Sequence, residues 1–393
     1  MPEAQRPLAL LITRNFPPLI GGMEKLNQHL LGALGLTHRI ALCGPAGCGA
    51  YAPEGAEIRQ RKISPLPVFL IMTLWSALIL AWRRKPDLVL AGSGLTAPIA
   101  WLVARCVGGR AIVYLHGLDI IVPRRIYQLL WLPFIRRCDV LIANSANTAA
   151  LARSRGPLTG SLHILNPGTD IPVLDRGGVI AALFRDQFGL GRGPILVSVG
   201  RLTQRKGLAE FVKGALPMIV KSCPDVILVV IGEEATHALH TRGGSERERI
   251  QQAAKQAGVE HAVRFIGACD ERTLAAAYQA ASVHVFPVLE LSGDVEGFGM
   301  VALEAAAHGL LTVAFAIGGV PDAVQDGYTG RLCESGDYQA FAQAVIDQVE
   351  CAEGDAAVHA CREFAAGKAW SVFAARLNNL LDVSHDRSQI TAK

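Results

Sequence analysis

The sequence predicts an α/β protein built from two doubly wound, parallel-sheet domains. Three observations carry that expectation. Its 393 residues are two to three times the roughly 150 of one domain. With 51% hydrophobic and 18% charged residues, the chain has enough apolar surface to offset the entropy of ordering. Short aliphatic runs also alternate with longer helical segments, the pattern of parallel strands fed by crossover helices.

Taken in order, the strand candidates of the first half are residues 8–13, 39–43, 87–91, 111–116, 140–143 and 163–165. The second half repeats the theme at 194–200, 226–232, 263–267, 283–287 and 311–314. Between the halves, residues 166–178 (NPGTDIPVLDRGG) collect Pro, Gly and Asp, as linkers do. Ligands of open parallel sheets bind beyond the carboxyl ends of the strands, so two such domains facing each other predict a cleft that holds the chemistry.

Charge divides the halves. Residues 1–170 hold 18 Lys and Arg against 8 Asp and Glu, whereas residues 171–393 hold 20 against 26, within a total of +4. A basic first half suits anionic lipid or phosphate, and the acidic second half argues against wrapping a long polyanion. Aromatics are 6% and do not interleave with the cations, so no nucleic-acid partner is expected. Nine scattered cysteines without a C-x-x-C pair read as reduced thiols of a cytosolic protein and indicate no zinc site. The apolar run 8–12 is too short for a signal-peptide core, so no export is expected.

Residues 63–82 (ISPLPVFLIMTLWSALILAW) carry no charge and run into Arg83, Arg84 and Lys85. Pro65 and Pro67 shorten the predicted helix to 68–82, about 22 Å at 1.5 Å per residue, against a hydrocarbon core of about 30 Å. A single crossing would also place two strands of one sheet on opposite sides of the membrane. Three readings stay open: a monotopic helix in the interface, a buried core helix, and a span. Arg59, Arg61 and Lys62 on one flank and Arg83–Lys85 on the other favour the first, since each could meet an anionic headgroup.

Four motifs could carry chemistry. Glu296, Gly297, Phe298, Gly299, Met300 and Glu304 (EGFGMVALE) open an Ala-rich helix, where glycines admit close backbone approach and the helix start favours anions. The two carboxylates, eight residues apart, would reach different parts of one extended ligand. Glu304 sits among Ala302, Leu303, Ala305 and Ala306, where an unpaired charge would be costly. Upstream, VSVGRLTQRKG ends a strand in Gly200 and delivers Arg201, Arg205 and Lys206, cations suited to a diphosphate leaving group. In the first half, PPLIGGMEKLN joins a strand to a helix through Gly21 and Gly22 without forming a dinucleotide or P-loop motif. His116 in YLHGLD ends an apolar strand; His29, His284 and His308 read as structural.

These residues resemble glycosyltransferase family 4, the retaining transferases of GT-B fold, over almost the whole chain. The carriers are PPLIGGMEK, KPDLVLAGS, YLHGLD, VGRLTQRKG, VRFIGACDERTLAAAYQAASVHVFP, the E-x7-E of Glu296 and Glu304, and GGVPDAVQDGYTGRL. The resemblance implies two Rossmann-like domains, 1–170 for the acceptor and 171–369 for the nucleotide-sugar, with a last helix and tail, 370–393, crossing back; that the first domain faces a membrane follows only from the run at 63–82. It implies that Arg201 and Lys206 hold the donor diphosphate, Glu304 the ribose and Glu296 the donor sugar. Backbone N–H groups of Phe298, Gly299 and Met300 would serve that sugar and the phosphates, Gly22 would shape the phosphate and acceptor side, and His116 would sit beside the sugar. Catalysis would rest on Glu296, His116, Arg201 and Lys206, with the nucleotide-sugar as co-substrate and no cofactor or metal.

The chain departs from the family at 232–250 (GEEATHALHTRGGSERERI) and in its longer VFPVLELSGDVEGFG, both of which could touch the base or sugar. The leading expectation is hexose transfer from a nucleotide-sugar to a glycan or lipid-linked acceptor, by a cytoplasmic enzyme peripheral at the inner membrane face through residues 63–85. Two alternatives are a nucleotide-sugar epimerase, which would convert donor alone, and a membrane-associated binding protein without turnover.

Overall fold

The computed structural model describes residues 6–175, 178–234, 245–351 and 354–390. They form two compact units, Met1–Gly168 with Trp370–Lys393, and Thr169–Ala369.

The first unit holds β1 (Leu8–Ile12), β2 (Arg39–Pro45), β3 (Glu57–Arg61), β4 (Leu88–Ala91), β5 (Arg110–Leu115), β6 (Val140–Ala143) and β7 (Ser161–Ile164) in one parallel sheet of order β3-β2-β1-β4-β5-β6-β7. The second holds β8 (Ile195–Val199), β9 (Ile227–Ile231), β10 (Val263–Gly267), β11 (Val283–Phe286), β12 (Thr312–Phe315) and β13 (Gly330–Cys333), ordered β10-β9-β8-β11-β12-β13. Strand order reverses between β1 and β4 and again between β8 and β11. Loops leaving the carboxyl ends of those pairs border the crevice where doubly wound sheets bind ligands.

Each expected apolar run overlaps a strand, and two strands come as additions. β3 (EIRQR) and β13 (GRLC) are edge strands, and their charged residues hide them from a search for apolar runs. The central strands β1, β4, β6, β8, β11 and β12 are buried along their whole length, as covering both faces of a parallel sheet requires.

Helix Leu66–Arg84 exceeds the predicted 68–82 at both ends. Phe69, Thr73, Ser76, Ala77, Leu80 and Ala81 face inward, and its neighbours in sequence, β3 and β4, belong to one sheet. The helix therefore lies along the sheet as a layer of the unit, which is not the packing of a span. Its other face presents Val68, Ile71, Met72, Trp75, Ile79 and Trp82, the last 82% exposed. The basic flanks need correction: Glu57 engages both Arg59 (2.9 Å) and Arg84 (3.0 Å), and Arg61 donates to Ser76 Oγ at 2.8 Å. Lys62, Arg83 and Lys85 enter no ion pair among the described residues.

The last helix, Trp370–Ile390, packs on helix Gly22–Gly35. Trp370 stacks on His29, with ring centroids 3.8 Å apart and planes within 5°. Gly168 lies so close that a Cβ there would stand 2.6 Å from the Trp370 ring.

Candidate functional site

In the second unit the site grows from the ends of two adjacent strands. β8 runs into Gly200, exposed Arg201, and a single turn over Gln204–Lys206 that ends in Gly207. Gly207 has φ 68°, and a Cβ there would collide with the Pro287 carbonyl just beyond β11. Leu289 N–H donates to the Arg205 carbonyl at 2.8 Å, fastening the two loops together.

Across that seam four charges meet. Lys206 Nζ donates to Glu296 Oε2 at 2.8 Å, Arg205 Nη1 donates to the same oxygen, and Arg205 Nε pairs with Asp294 at 3.0 Å. The Arg205, Lys206 and Glu296 side chains are 14%, 15% and 12% exposed, so these charges are largely withdrawn from water. Burial pushes the Glu296 carboxyl up, but Lys206 and Arg205 outweigh it and hold it down at about 2. For Lys206, burial pushes the ammonium down, Glu296 pulls it up, and Arg205 and Arg201 add to the depression. Lys206 Nζ also stands 4.6 Å over the Phe286 ring. Added negative charge at this spot would meet cations that already crowd one another.

The acidic loop is held from behind. Gly319 N–H donates to the Glu296 carbonyl at 2.9 Å, and a Cβ on Gly318 would stand 2.5 Å from that same oxygen. Gly299, at φ 97°, precedes helix Met300–Ala307, and a Cβ there would stand 2.9 Å from the Phe286 ring. Phe298 is buried and anchors the turn. Half-buried Glu304 lies just over one turn into the helix, with Tyr278 Oη 3.5 Å from its Oε2.

Lys206 and Glu296 are thus in direct contact. Arg201 touches that pair only through its field, and Glu304 lies further along the helix with Tyr278. Arg205, one of the three cations the sequence singles out but leaves without an assigned role, is the second grip on Glu296; nothing in the QRK run says which cation takes that place. Phe286 is an addition to the expected set, readable in the sequence only as the end of a strand. His284, next but one on β11, is fully buried, bonded through Nδ1 to Thr312 Oγ1 (3.0 Å) and stacked on Phe286. Burial, with Lys206 nearby, lowers its pKa to about 3, so it is neutral. Of the departing segment 232–250, residues 235–244 lie outside the described residues.

The first unit carries a second polar knot at its own strand reversal. Asn27 Nδ2 donates toward Thr13 Oγ1 (3.2 Å), the Asn15 carbonyl (2.8 Å) and the Gly92 carbonyl (3.3 Å). A Cβ on Gly92 would stand 2.5 Å from Asn27 Oδ1, so only glycine fits. His116, at the end of β5, bonds through Nε2 to that Gly92 carbonyl at 2.9 Å, and its backbone N–H donates to Asp119 Oδ2 at 3.0 Å. A carbonyl accepts only, so Nε2 is the donor in this bond. Gly22 is exposed at the start of helix Gly22–Gly35. Among the described residues no group of three or more His, Cys, Asp or Glu side chains could hold a metal ion.

Comparisons with known proteins agree with this geometry. The model of the glycosyl transferases group 1 matches residues 182–365, and that of glycosyltransferase family 4 matches 20–172. A Mycolicibacterium smegmatis protein named GDP-mannose-dependent alpha-(1-6)-phosphatidylinositol monomannoside mannosyltransferase is 31% identical over 357 residues, 86% of this chain and 88% of that one. Among solved structures, Anabaena HepE in complex with UDP aligns with TM-score 0.75 and 18% identity over 95% of this chain and 99% of its own. Sucrose-phosphate synthase of Thermosynechococcus elongatus aligns with TM-score 0.75 and 22% identity over 99% and 100%. Two parallel-sheet units of GT-B type, a cation pair closed on a loop glutamate, and family models covering both halves make this chain a member of glycosyltransferase family 4, an enzyme that transfers a hexose from a nucleotide-sugar.

Proposed function

We propose that the chain is a retaining, metal-independent transferase that moves mannose from GDP-mannose to a lipid-linked, inositol-type glycolipid at the cytoplasmic membrane surface. The observation that carries the chemistry is the cluster of Lys206, Arg205 and Glu296 beside the glycine-bounded helix start. As the bond from sugar to phosphate breaks, negative charge gathers on the leaving diphosphate, and fixed cations in a partly dry site stabilise it without reorganising. Lys206 and Arg201 are assigned to that diphosphate, with backbone N–H groups of Phe298, Gly299 and Met300 on the phosphates and sugar. Glu296 is assigned to the donor sugar, Glu304 to the ribose, His116 to the sugar and Gly22 to the phosphate and acceptor side. Choice of donor and acceptor follows the name of the mycobacterial-type relative.

Membrane attachment is assigned to the exposed face of helix Leu66–Arg84, where six large apolar side chains share one stripe with Lys62, Arg83 and Lys85 at its ends. This stripe supports a monotopic reading, which suits a lipid acceptor.

A melting screen of GDP-, UDP- and ADP-sugars tests the donor, since bound donor stabilises the fold by mass action. GDP-mannose is expected to raise Tm most and then to label an inositol glycolipid extract. Protection by none of the nucleotide-sugars would overturn the assignment of the cation site. Conversion of donor without any acceptor would point to epimerisation.

A further inference from the structure

From Ile58 to Cys138 the chain carries twelve Lys and Arg but two carboxylates, Asp87 and Asp119. Both carboxylates are engaged inside the unit: Asp87 Oδ2 accepts from Leu8 N–H at 2.9 Å and Asp119 Oδ2 from His116 N–H at 3.0 Å. The helices built from this stretch form one continuous layer, in which helix Leu66–Arg84 packs on Ala97–Val107, that on Leu132–Arg136, and that in turn on Arg125–Leu130. Eight of the twelve cations, Arg83–Lys85, Arg105, Arg124, Arg125, Arg136 and Arg137, lie on or at the ends of those helices, and Glu57 and Asp139, which border the stretch, pair with Arg84 and Arg105 among them.

At the far end of that layer from helix Leu66–Arg84 the short helix Arg125–Leu130 has no buried residue, and Ile126, Leu129 and Leu130 are 70%, 73% and 55% exposed. The segment is nonetheless fastened from within. Trp131 Nε1 donates to the Leu95 carbonyl at 2.8 Å, and the Tyr127 and Trp131 rings stack 5.7 Å apart. Arg124 and Arg125 directly precede the apolar triad, both exposed and neither in an ion pair among the described residues. Three large apolar side chains next to two uncompensated cations, on a fixed support, match an interface of apolar chains under anionic headgroups.

We propose that Arg124, Arg125, Ile126, Leu129 and Leu130 form a second contact with an anionic phospholipid bilayer, working together with the stripe of helix Leu66–Arg84. The inference rests on the membrane reading above and adds to it. Two contacts on one layer orient the unit where one helix alone would let it roll. Because Arg125–Leu130 follows His116 and Asp119 at the carboxyl end of β5, the lipid surface comes to the same end of the sheet as the polar knot.

The test is flotation of the full chain with phosphatidylcholine vesicles, with and without phosphatidylglycerol. Ile126→Ser/Leu129→Ser/Leu130→Ser is expected to reduce partitioning at least about tenfold on both kinds of vesicle, in proportion to the apolar area withdrawn. Arg124→Gln/Arg125→Gln, at exposed positions that leave folding intact, should lose about fivefold per charge on the anionic vesicles alone. Trp75→Ser/Trp82→Ser serves as the reference for the first contact. If both sets at Arg124–Leu130 float like the parent while the reference variant is lost, the second contact is overturned and the membrane reading stands. A parent that floats with neither vesicle overturns both. A parent that sediments as a dimer without vesicles, and a triple variant that sediments as a monomer, would assign the patch to a second copy and overturn the lipid occupant.

Discussion

Lys206 holds a charge in a place that resists it. Its ammonium is pressed by burial and two guanidinium groups and steadied by Glu296 and the Phe286 ring. A diphosphate would add counter-charge where Arg201 stands as a third cation beside two carboxylates. Replacing Lys206 with Ala should raise the dissociation constant for the donor nucleotide about ten- to hundredfold, the worth of one or two charged hydrogen bonds. Folding should survive, because Arg205 stays on Glu296. Glu296→Gln should act in the opposite sense on binding: with the carboxylate charge gone, nucleotide diphosphate should bind as well or better while turnover falls at least a hundredfold. Calorimetric titration beside a transfer assay separates the two, and a parallel loss of binding in Glu296→Gln would sink the picture of a carboxylate competing for the cations. The charged partners of this site were legible in the sequence as types, because a diphosphate needs cations and a glycine-bounded helix start. Which cation reaches Glu296 was not, since Arg201, Arg205 and Lys206 differ only in where the turn after β8 points them.

At the level of elements, β11 supports the site from below. His284 stacks on Phe286, which supports Lys206 and fills the space that glycine leaves at Gly299. Its pKa falls from 6.5 to about 3 because burial disfavours the imidazolium and Lys206 adds to that. The unfolded chain binds the proton first, so the folded state has its full stability above pH 6.5 and loses it as pH drops toward 3. The loss is on the order of several kcal/mol. His284→Gln, which cannot charge, should flatten the acid limb of the stability curve over that window in denaturant titrations, at some cost in stability at neutral pH. An unaltered acid limb would mean that the histidine does not govern it. Elements themselves divide by burial. Strands covered on both faces must be apolar and announce themselves, as β1 and β8 do. Edge strands β3 and β13 are set by pairing with β2 and β12, and EIRQR and GRLC carry no periodic sign of it. Helix Leu66–Arg84 was legible as an uncharged run, but its two faces separate only once Phe69, Ala77 and Leu80 dock on the sheet.

Over the whole molecule, charge and chain path are both uneven. Basic residues concentrate in the unit that carries the apolar stripe, and the acidic excess lies in the unit that carries the cation site, where Asp294 and Glu296 balance Arg205 and Lys206. The path matters for how the protein comes into being. The first unit is completed by Trp370–Lys393, with Trp370 laid against His29 and Gly168 and Arg110 Nη1 donating to the Leu381 carbonyl at 3.2 Å. A ribosome therefore finishes all of the second unit before it releases the piece that closes the first. Until then helix Gly22–Gly35 waits with its outer side uncovered, which is a stage at which a chaperone could be needed. Stopping translation after residue 369 should give a protein whose second unit melts normally while its first unit is cut faster by protease around residues 22–35. Equal cutting of both lengths would show that the early segment closes without its late partner.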